Sequence, residues 1–246
     1  MKAEIDNQRL QRNDASEETP ADRPLEKSRV RLPGVLGAVQ NAVDAIAPLV
    51  RVVDDDDDVR RSWAFVMEGE GWDVASYPNA AAFLAADDPF VPGCLILDVR
   101  MSGMTGIELQ HEMKAAGNPL PIIFVSAHGD INMAVKTIKE GAADFLPKPV
   151  EIPVLVEAVR RAIDRDLAAR REVAEINRAK AAYRLLSARE KEVARGVSEG
   201  LLNKQIAWNM HITEKTVIAH RSSLCRKLGI RTAADITRLL MTIGEV

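Results

Sequence analysis

The stretch that decides the fold is Leu49-Val50-Arg51-Val52-Val53-Asp54-Asp55-Asp56-Asp57-Asp58. Five residues, apolar except for Arg51, end abruptly in five consecutive aspartates. A short apolar run closed by a polar turn predicts a buried strand, and the helical periodicity over 59–68 predicts a helix after it. The alternation then repeats. Residues 72–77 read as a strand and 80–86 as a helix, 94–97 as a strand and 107–116 as a helix. Residues 121–125 and 131–140 form the next such pair, and 144–146 and 150–163 the last. Five β–α units imply a parallel sheet covered on both faces. The fold class is therefore α/β, with a five-stranded doubly wound parallel sheet whose expected order is 2-1-3-4-5.

Outward from the sheet, the chain changes character in both directions. Residues 1–30 are polar, with Pro20 and Pro24, and read as a disordered tail. A short, weak helix at 35–47 rests only on Val35, Val39, Val43 and Ile46. Residues 1–48 thus read as a disordered or weakly helical N-terminal extension, and the sequence names no role for it. Beyond 165, residues 166–185 continue as a charged helical linker, solvated on most faces. Residues 186–246 read as a small all-α domain. Ser187 and Glu190 make a capping box there, Gly200 closes a helix, and Thr213 and Thr232 are N-caps for helices at 214–228 and 233–242. A further helix spans 204–210.

Composition excludes several classes. The net charge is −3, yet residues 49–165 carry 11 basic and 19 acidic side chains whereas 166–246 carry 15 and 9. An acidic module joined to a basic one suggests different partners, with a polyanion such as DNA for the second. Only two cysteines occur, Cys94 and Cys225, and without a C-x-x-C neither a disulfide framework nor a structural zinc site is expected. No run of 18 apolar residues suggests a membrane span, and the mixed-charge N-terminus does not resemble a signal peptide.

In an open α/β sheet, ligands gather beyond the carboxyl ends of the strands. The first strand delivers Asp54 and Asp55 there, the third Asp98, the fourth Ser126 and the fifth Lys148. Crowded carboxylates favour a hard divalent cation, and Mg2+ needs one or two of them plus waters and phosphate oxygens. A carboxylate can itself become an aspartyl phosphate, with a cation such as Lys148 offsetting the developing charge. The set fits phosphoryl transfer onto Asp98. The plainer reading of the aspartate run is a solvated acidic turn. A calcium loop starting at Asp54 fails, because Val59 takes its glycine position and Phe65 its bidentate glutamate position.

On these residues the chain resembles a known family. Val53-Asp54-Asp55, Leu97-Asp98-Val99-Arg100-Met101, Ser126-Ala127-His128-Gly129-Asp130, Gly141-Ala142-Ala143-Asp144-Phe145 and Lys148-Pro149 make 49–165 similar to the flavodoxin-like receiver domain of two-component response regulators. Residues 49–246 resemble the NarL/FixJ family as a whole. The resemblance implies Asp98 as phosphoacceptor, with Mg2+ held by Asp55, Asp98 and the Arg100 backbone carbonyl. Asp54 would assist, Lys148 and Ser126 would bind the phosphoryl group, and Phe145 would be the switch aromatic. One departure stands out. The family usually has Met-Pro-Gly where this chain has Met101-Ser102-Gly103, which loosens the loop beside the metal ligands and bears on the lifetime of the phosphorylated state.

Residues 187–243 resemble the LuxR-type helix-turn-helix domain through Leu186-Ser187, Arg189-Glu190, Glu192-Val193, Gly200, Asn203-Lys204, Ile206-Ala207, Thr216-Val217, His220, Lys227-Leu228-Gly229 and Arg231-Thr232. The helix 214–228 is then the recognition helix in the major groove, with Val217, Leu224 and Leu228 on its buried side. By resemblance Ile218, Ala219 and Ser222 face base edges. Lys204, Lys215, Thr216 and Arg221 are the candidates for phosphate contact, Arg226 and Lys227 read as solvated charges, and His220 as a packing residue. Of Ala234, Ile236, Leu239, Leu240 and Ile243, some fill the core, and the remainder would pair two copies.

The expected function is that of a cytoplasmic response regulator, a transcriptional regulator rather than an enzyme. Its expected partners are a sensor histidine kinase, double-stranded DNA, a second copy on activation and RNA polymerase, with no membrane. A small phosphohydrolase is the first rival, but Arg100 stands two residues beyond Asp98, where such an enzyme needs its general acid. The second rival is a constitutive DNA-binding protein whose receiver serves only as an interaction module.

Overall fold

The computed structural model describes residues 46–127 and 131–246. The polar tail and nearly all of the weak 35–47 helix lie outside the described residues, and the two that are described, Ile46 and Ala47, are not helical. The sheet alternates with helices as its apolar runs require: β1 (Leu49–Val53), α1 (Asp57–Gly69), β2 (Asp73–Tyr77), α2 (Ala80–Ala86), β3 (Gly93–Leu97), α3 (Gly106–Ala115), β4 (Ile122–Ser126), α4 (Ile131–Lys139), β5 (Asp144–Pro147) and α5 (Ile152–Arg184). The strand order is β2-β1-β3-β4-β5 and every pairing is parallel. Alternate residues of each strand feed two cores. Val50, Val52, Ile96, Ile123 and Val125 pack with Leu155, Val159 and Ile163 of α5. Val53, Leu97 and Phe124 pack with Phe83, Leu109 and Met113.

Arg51 breaks the apolar run of β1 and is fully buried. An unpaired guanidinium would be costly there, and each of its nitrogens donates. Nε reaches Asp87 Oδ1 at 2.7 Å, and the two terminal nitrogens reach the carbonyls of Leu49, Asp88, Val91 and Pro92. From α5, Arg170 donates to the carbonyls of Pro89 and Phe90 and pairs with Asp166 at 2.7 Å. Two guanidinium groups thus hold five consecutive carbonyls, 88–92, between α2 and β3. Asp166 also accepts from the Gly93 amide at 2.9 Å. Gly93 has φ +146°, and a Cβ there would lie 1.9 Å from the Leu49 oxygen, so only glycine fits this junction.

The segment expected as a solvated linker is the C-terminal part of α5, one continuous helix with the residues before it, and it is packed at both ends. Asp166 is buried against the sheet, and Leu167 is packed beside it. Ala179 and Tyr183 enter the second core. That core joins α5 to α6 (Ala188–Ser198), α7 (Asn203–Met210), α8 (Glu214–Leu228) and α9 (Ala233–Ile243), through Val193, Ile206, Val217, Leu224, Leu228, Ile236, Leu239 and Leu240. The caps are those the sequence signals: Ser187 with Glu190, Thr213, and Thr232 with Asp235.

Candidate functional site

Parallel register builds the acidic site. Val53 lies opposite Leu97, so Asp54 and Asp98 emerge side by side, and the Asp98 amide donates to the Val53 carbonyl at 3.0 Å. Ser126 pairs with Pro147, and the Lys148 amide donates to the Ser126 carbonyl at 2.9 Å, which carries Lys148 over the same edge. Its ammonium spans the two acids, 2.8 Å from Asp54 Oδ2 and 3.1 Å from Asp98 Oδ1. Asp98 Oδ2 accepts from the Arg100 amide at 2.7 Å. Asp54, Asp98 and Ser126 are all buried. The Lys148–Pro149 peptide is cis.

The electrostatics follow from that geometry. Burial pushes the Asp98 carboxyl above its usual range and neighbouring Asp54 adds to this, while Lys148 and the Arg100 amide act in opposition. Burial alone would lower the Lys148 ammonium, but its bonds to Asp54 and Asp98 outweigh this and raise it. Asp98 rises chiefly because it is buried, with Asp54 adding to this, and Lys148 rises because two carboxylates face it.

The aspartate run divides its labour. Asp54 joins the buried set with Lys148 and Asp98, and Asp55 follows it, exposed. Asp56 is the N-cap of α1 and accepts from the amides of Asp58 and Val59. Asp57 and Asp58 occupy the first turn, where the helix dipole favours negative charge, and pair with Arg60 and Arg61. The solvated-turn reading therefore holds for the last three of the five. Asp55 Oδ2 accepts from the Ser102 amide at 2.8 Å, a bond the sequence did not reveal. Phe145 is half-buried, its ring 6.2 Å from that of Phe124.

No three His, Cys, Asp or Glu side chains among the described residues stand together as a ready cation cage. The donor chemistry nonetheless fits Mg2+, which binds hard oxygens and keeps several waters. Two adjacent buried carboxylates share one ammonium, and a third carboxylate, Asp55, accepts from a loop amide.

At the second site, Lys215, Ile218, Ala219, Ser222 and Arg226 are exposed along one stripe of α8, with Val217, Leu224 and Leu228 buried behind. Lys204 is exposed on α7. Two of the phosphate candidates are already engaged. The Thr216 hydroxyl lies 2.8 Å from that of the cap Thr213, and Arg221 donates to Asn203 Oδ1 at 2.7 Å, tying α8 to α7. Lys227 is not simply solvated: it bonds buried Glu190 at 2.7 Å. Burial alone would raise that carboxyl, but Lys227 and the Ser187 amide lower it to about 2. On α9, Ile236, Leu239 and Leu240 are buried and Ile243 packs against them, so Ala234 alone of the five remains exposed. Met241, which the sequence reading passed over, is 62 % exposed.

Comparison with known proteins covers both regions of the chain. The family described as "Response regulator receiver domain" matches residues 50–160, and "Bacterial regulatory proteins, luxR family" matches 184–240. The response regulator protein TmoT of Ectopseudomonas mendocina is 37 % identical over 209 residues, covering 85 % of this chain and 94 % of that protein. The chain is a two-component response regulator of the NarL/FixJ family. The transcriptional regulatory protein FixJ of Azorhizobium caulinodans is 38 % identical to this response regulator over 197 residues, 79 % of this chain and 92 % of that one. Among solved structures, the response regulator StyR superposes with a TM-score of 0.74 at 38 % identity, covering 79 % of this chain and 98 % of its own. The response regulator thus joins a receiver to a luxR-type DNA-binding domain and is a regulator of transcription, not an enzyme. Among its described residues no helix is long and apolar enough to cross a membrane.

Proposed function

We propose that Asp98 accepts a phosphoryl group from a sensor histidine kinase and that this event governs operator binding by the C-terminal domain. The observation that carries the reading is the Lys148 ammonium spanning Asp54 and Asp98 at the carboxyl edge of the sheet. One Asp98 oxygen is presented as nucleophile while the Arg100 amide steadies the other. Lys148 is placed to follow the new negative charge, and Ser126 on the neighbouring strand end to hydrogen-bond the transferred group. Mg2+, held by Asp55, Asp98 and the Arg100 carbonyl with Asp54 assisting, would supply charge neutralisation on the phosphoryl oxygens. Phe145, half-buried beside the core, would move inward as Ser126 shifts.

On DNA, Ile218, Ala219 and Ser222 read base edges, Ile218 and Ala219 being suited to thymine methyls. Lys204 and Lys215 contact phosphates, with Thr216 and Arg221 supporting them from their present partners. Activation pairs two copies, a step supported by exposed Ile131, Val135 and Ile138 on α4 and Met241 on α9. The pair then meets RNA polymerase, and these partners place the work in the cytoplasm. A gel shift with and without a small phosphodonor tests the reading. The wild type should gain operator affinity on phosphorylation and Asp98→Asn should not. Equal phosphate uptake and equal affinity in both proteins would overturn it.

A further inference from the structure

Residue 102 is where the resemblance implies a proline and this chain has a serine, and the structure shows what the serine adds. A proline has no amide hydrogen. Ser102 has one, and it donates to Asp55 Oδ2 at 2.8 Å. The bond runs from the loop after β3 to the loop after β1, the two loops that flank Asp98. The serine side chain is exposed and takes part in no bond among the described contacts, so the backbone alone makes this link.

We propose that the Ser102 amide is a built-in competitor for Asp55. It holds the carboxylate against the 98–105 loop, so that a divalent cation must break the bond before Asp55 can become its ligand. This inference rests on the reading of Asp55 as a Mg2+ ligand. The bond is charge-assisted but solvent-exposed, so its effect on cation affinity is modest, about three- to tenfold by the usual net strength of such bonds. Ser102 is thus a positioning residue. It acts through Asp55 and tunes how readily the site fills, and hence how long a metal-dependent phosphorylated state is kept.

The test uses the full-length protein and magnesium chloride alone, with amide nuclear magnetic resonance as the readout. In the wild type the Ser102 amide signal should move towards the position of an unbonded amide as Mg2+ saturates. The dissociation constant is taken from the amides of Asp56 and Val99. Ser102→Pro, which deletes the donor, should bind Mg2+ about three- to tenfold more tightly. Ser102→Ala, which keeps it, should match the wild type. Proline also stiffens the loop, so the release of the wild-type Ser102 amide on saturation is the readout that a merely structural role would not move. Equal Mg2+ affinity in Ser102→Pro and the wild type, or a Ser102 amide signal that stays fixed at saturation, would overturn the proposal while leaving the metal site standing. No Mg2+ response in any of the three proteins would overturn the metal reading and this inference with it.

Discussion

At the carboxyl edge of the sheet the charges are buried and held by one another, whereas along α8 they stand clear of the protein. Asp54, Lys148 and Asp98 form a closed set in which each group already has a partner. Lys215, Ser222 and Arg226 share an open stripe with Ile218 and Ala219. The difference follows from what each region meets. A small charged group entering a preorganised pocket gains most where water is excluded and the dipoles are fixed. A long polyanion is drawn from solution by exposed cations whose counterions are free to leave. Buried charge should therefore control stability and chemistry, and exposed charge should control affinity alone.

The largest effect that could break this comparison is at Arg51. Arg51→Met leaves Asp87 buried without its ion-pair partner and takes one donor from each of four carbonyls, of which Asp88 and Pro92 keep a backbone donor. It should cost about 3–5 kcal/mol in the receiver's urea unfolding transition. A loss below about 1 kcal/mol would show that the loop relaxes and that burial of the charge mattered little. Glu190 is the second domain's own buried charge. The folded chain keeps it ionised down to about pH 2, while an ordinary glutamate takes up its proton near 4.5. Its stabilisation is therefore complete above about pH 4.5 and is drained as pH falls towards 2. Lys227→Met should flatten the acid limb of the second domain's melting temperature across that window, and an unchanged limb would refute the pairing.

Smaller effects sharpen the other half of the comparison. Lys215→Ala should change stability by less than about 0.5 kcal/mol, yet lower the slope of log affinity against log salt by about 1. Isotherms at several salt concentrations would detect this. The smallest effect concerns α7, which begins at exposed Leu202. Gln205 accepts from the Leu202 amide at 2.8 Å, but leucine has no oxygen to return the bond. Leu202→Ser should complete that capping box and add about 1 kcal/mol to the second domain, read as a raised thermal midpoint with little change in affinity.

The sheet was legible because its strands are continuous apolar runs with sharp polar ends. The helices 80–86 and 214–228 fall where their caps and periodicity place them. The residues at the strand ends were legible for the same reason, since register in a parallel sheet brings them together without further information. What escaped notice joins distant positions. Glu190 and Lys227 meet across 37 residues, Ser102 and Asp55 across 47. Neither pairing leaves a local period to read. Arg51 did carry a signal: an arginine inside a strand covered on both faces has to find several acceptors.

The two guanidinium groups that grip carbonyls 88–92 bear on how such chains can be recombined. Arg170 lies past the last repeat of the sheet, yet its hydrogen bonds belong to the receiver, while Ala179 is already part of the other core. A chimaera that grafts a foreign reading head onto this receiver should therefore be spliced after Arg170 and before Ala179. A junction placed earlier, where the β–α pattern stops, would carry a clamp residue away with the wrong partner.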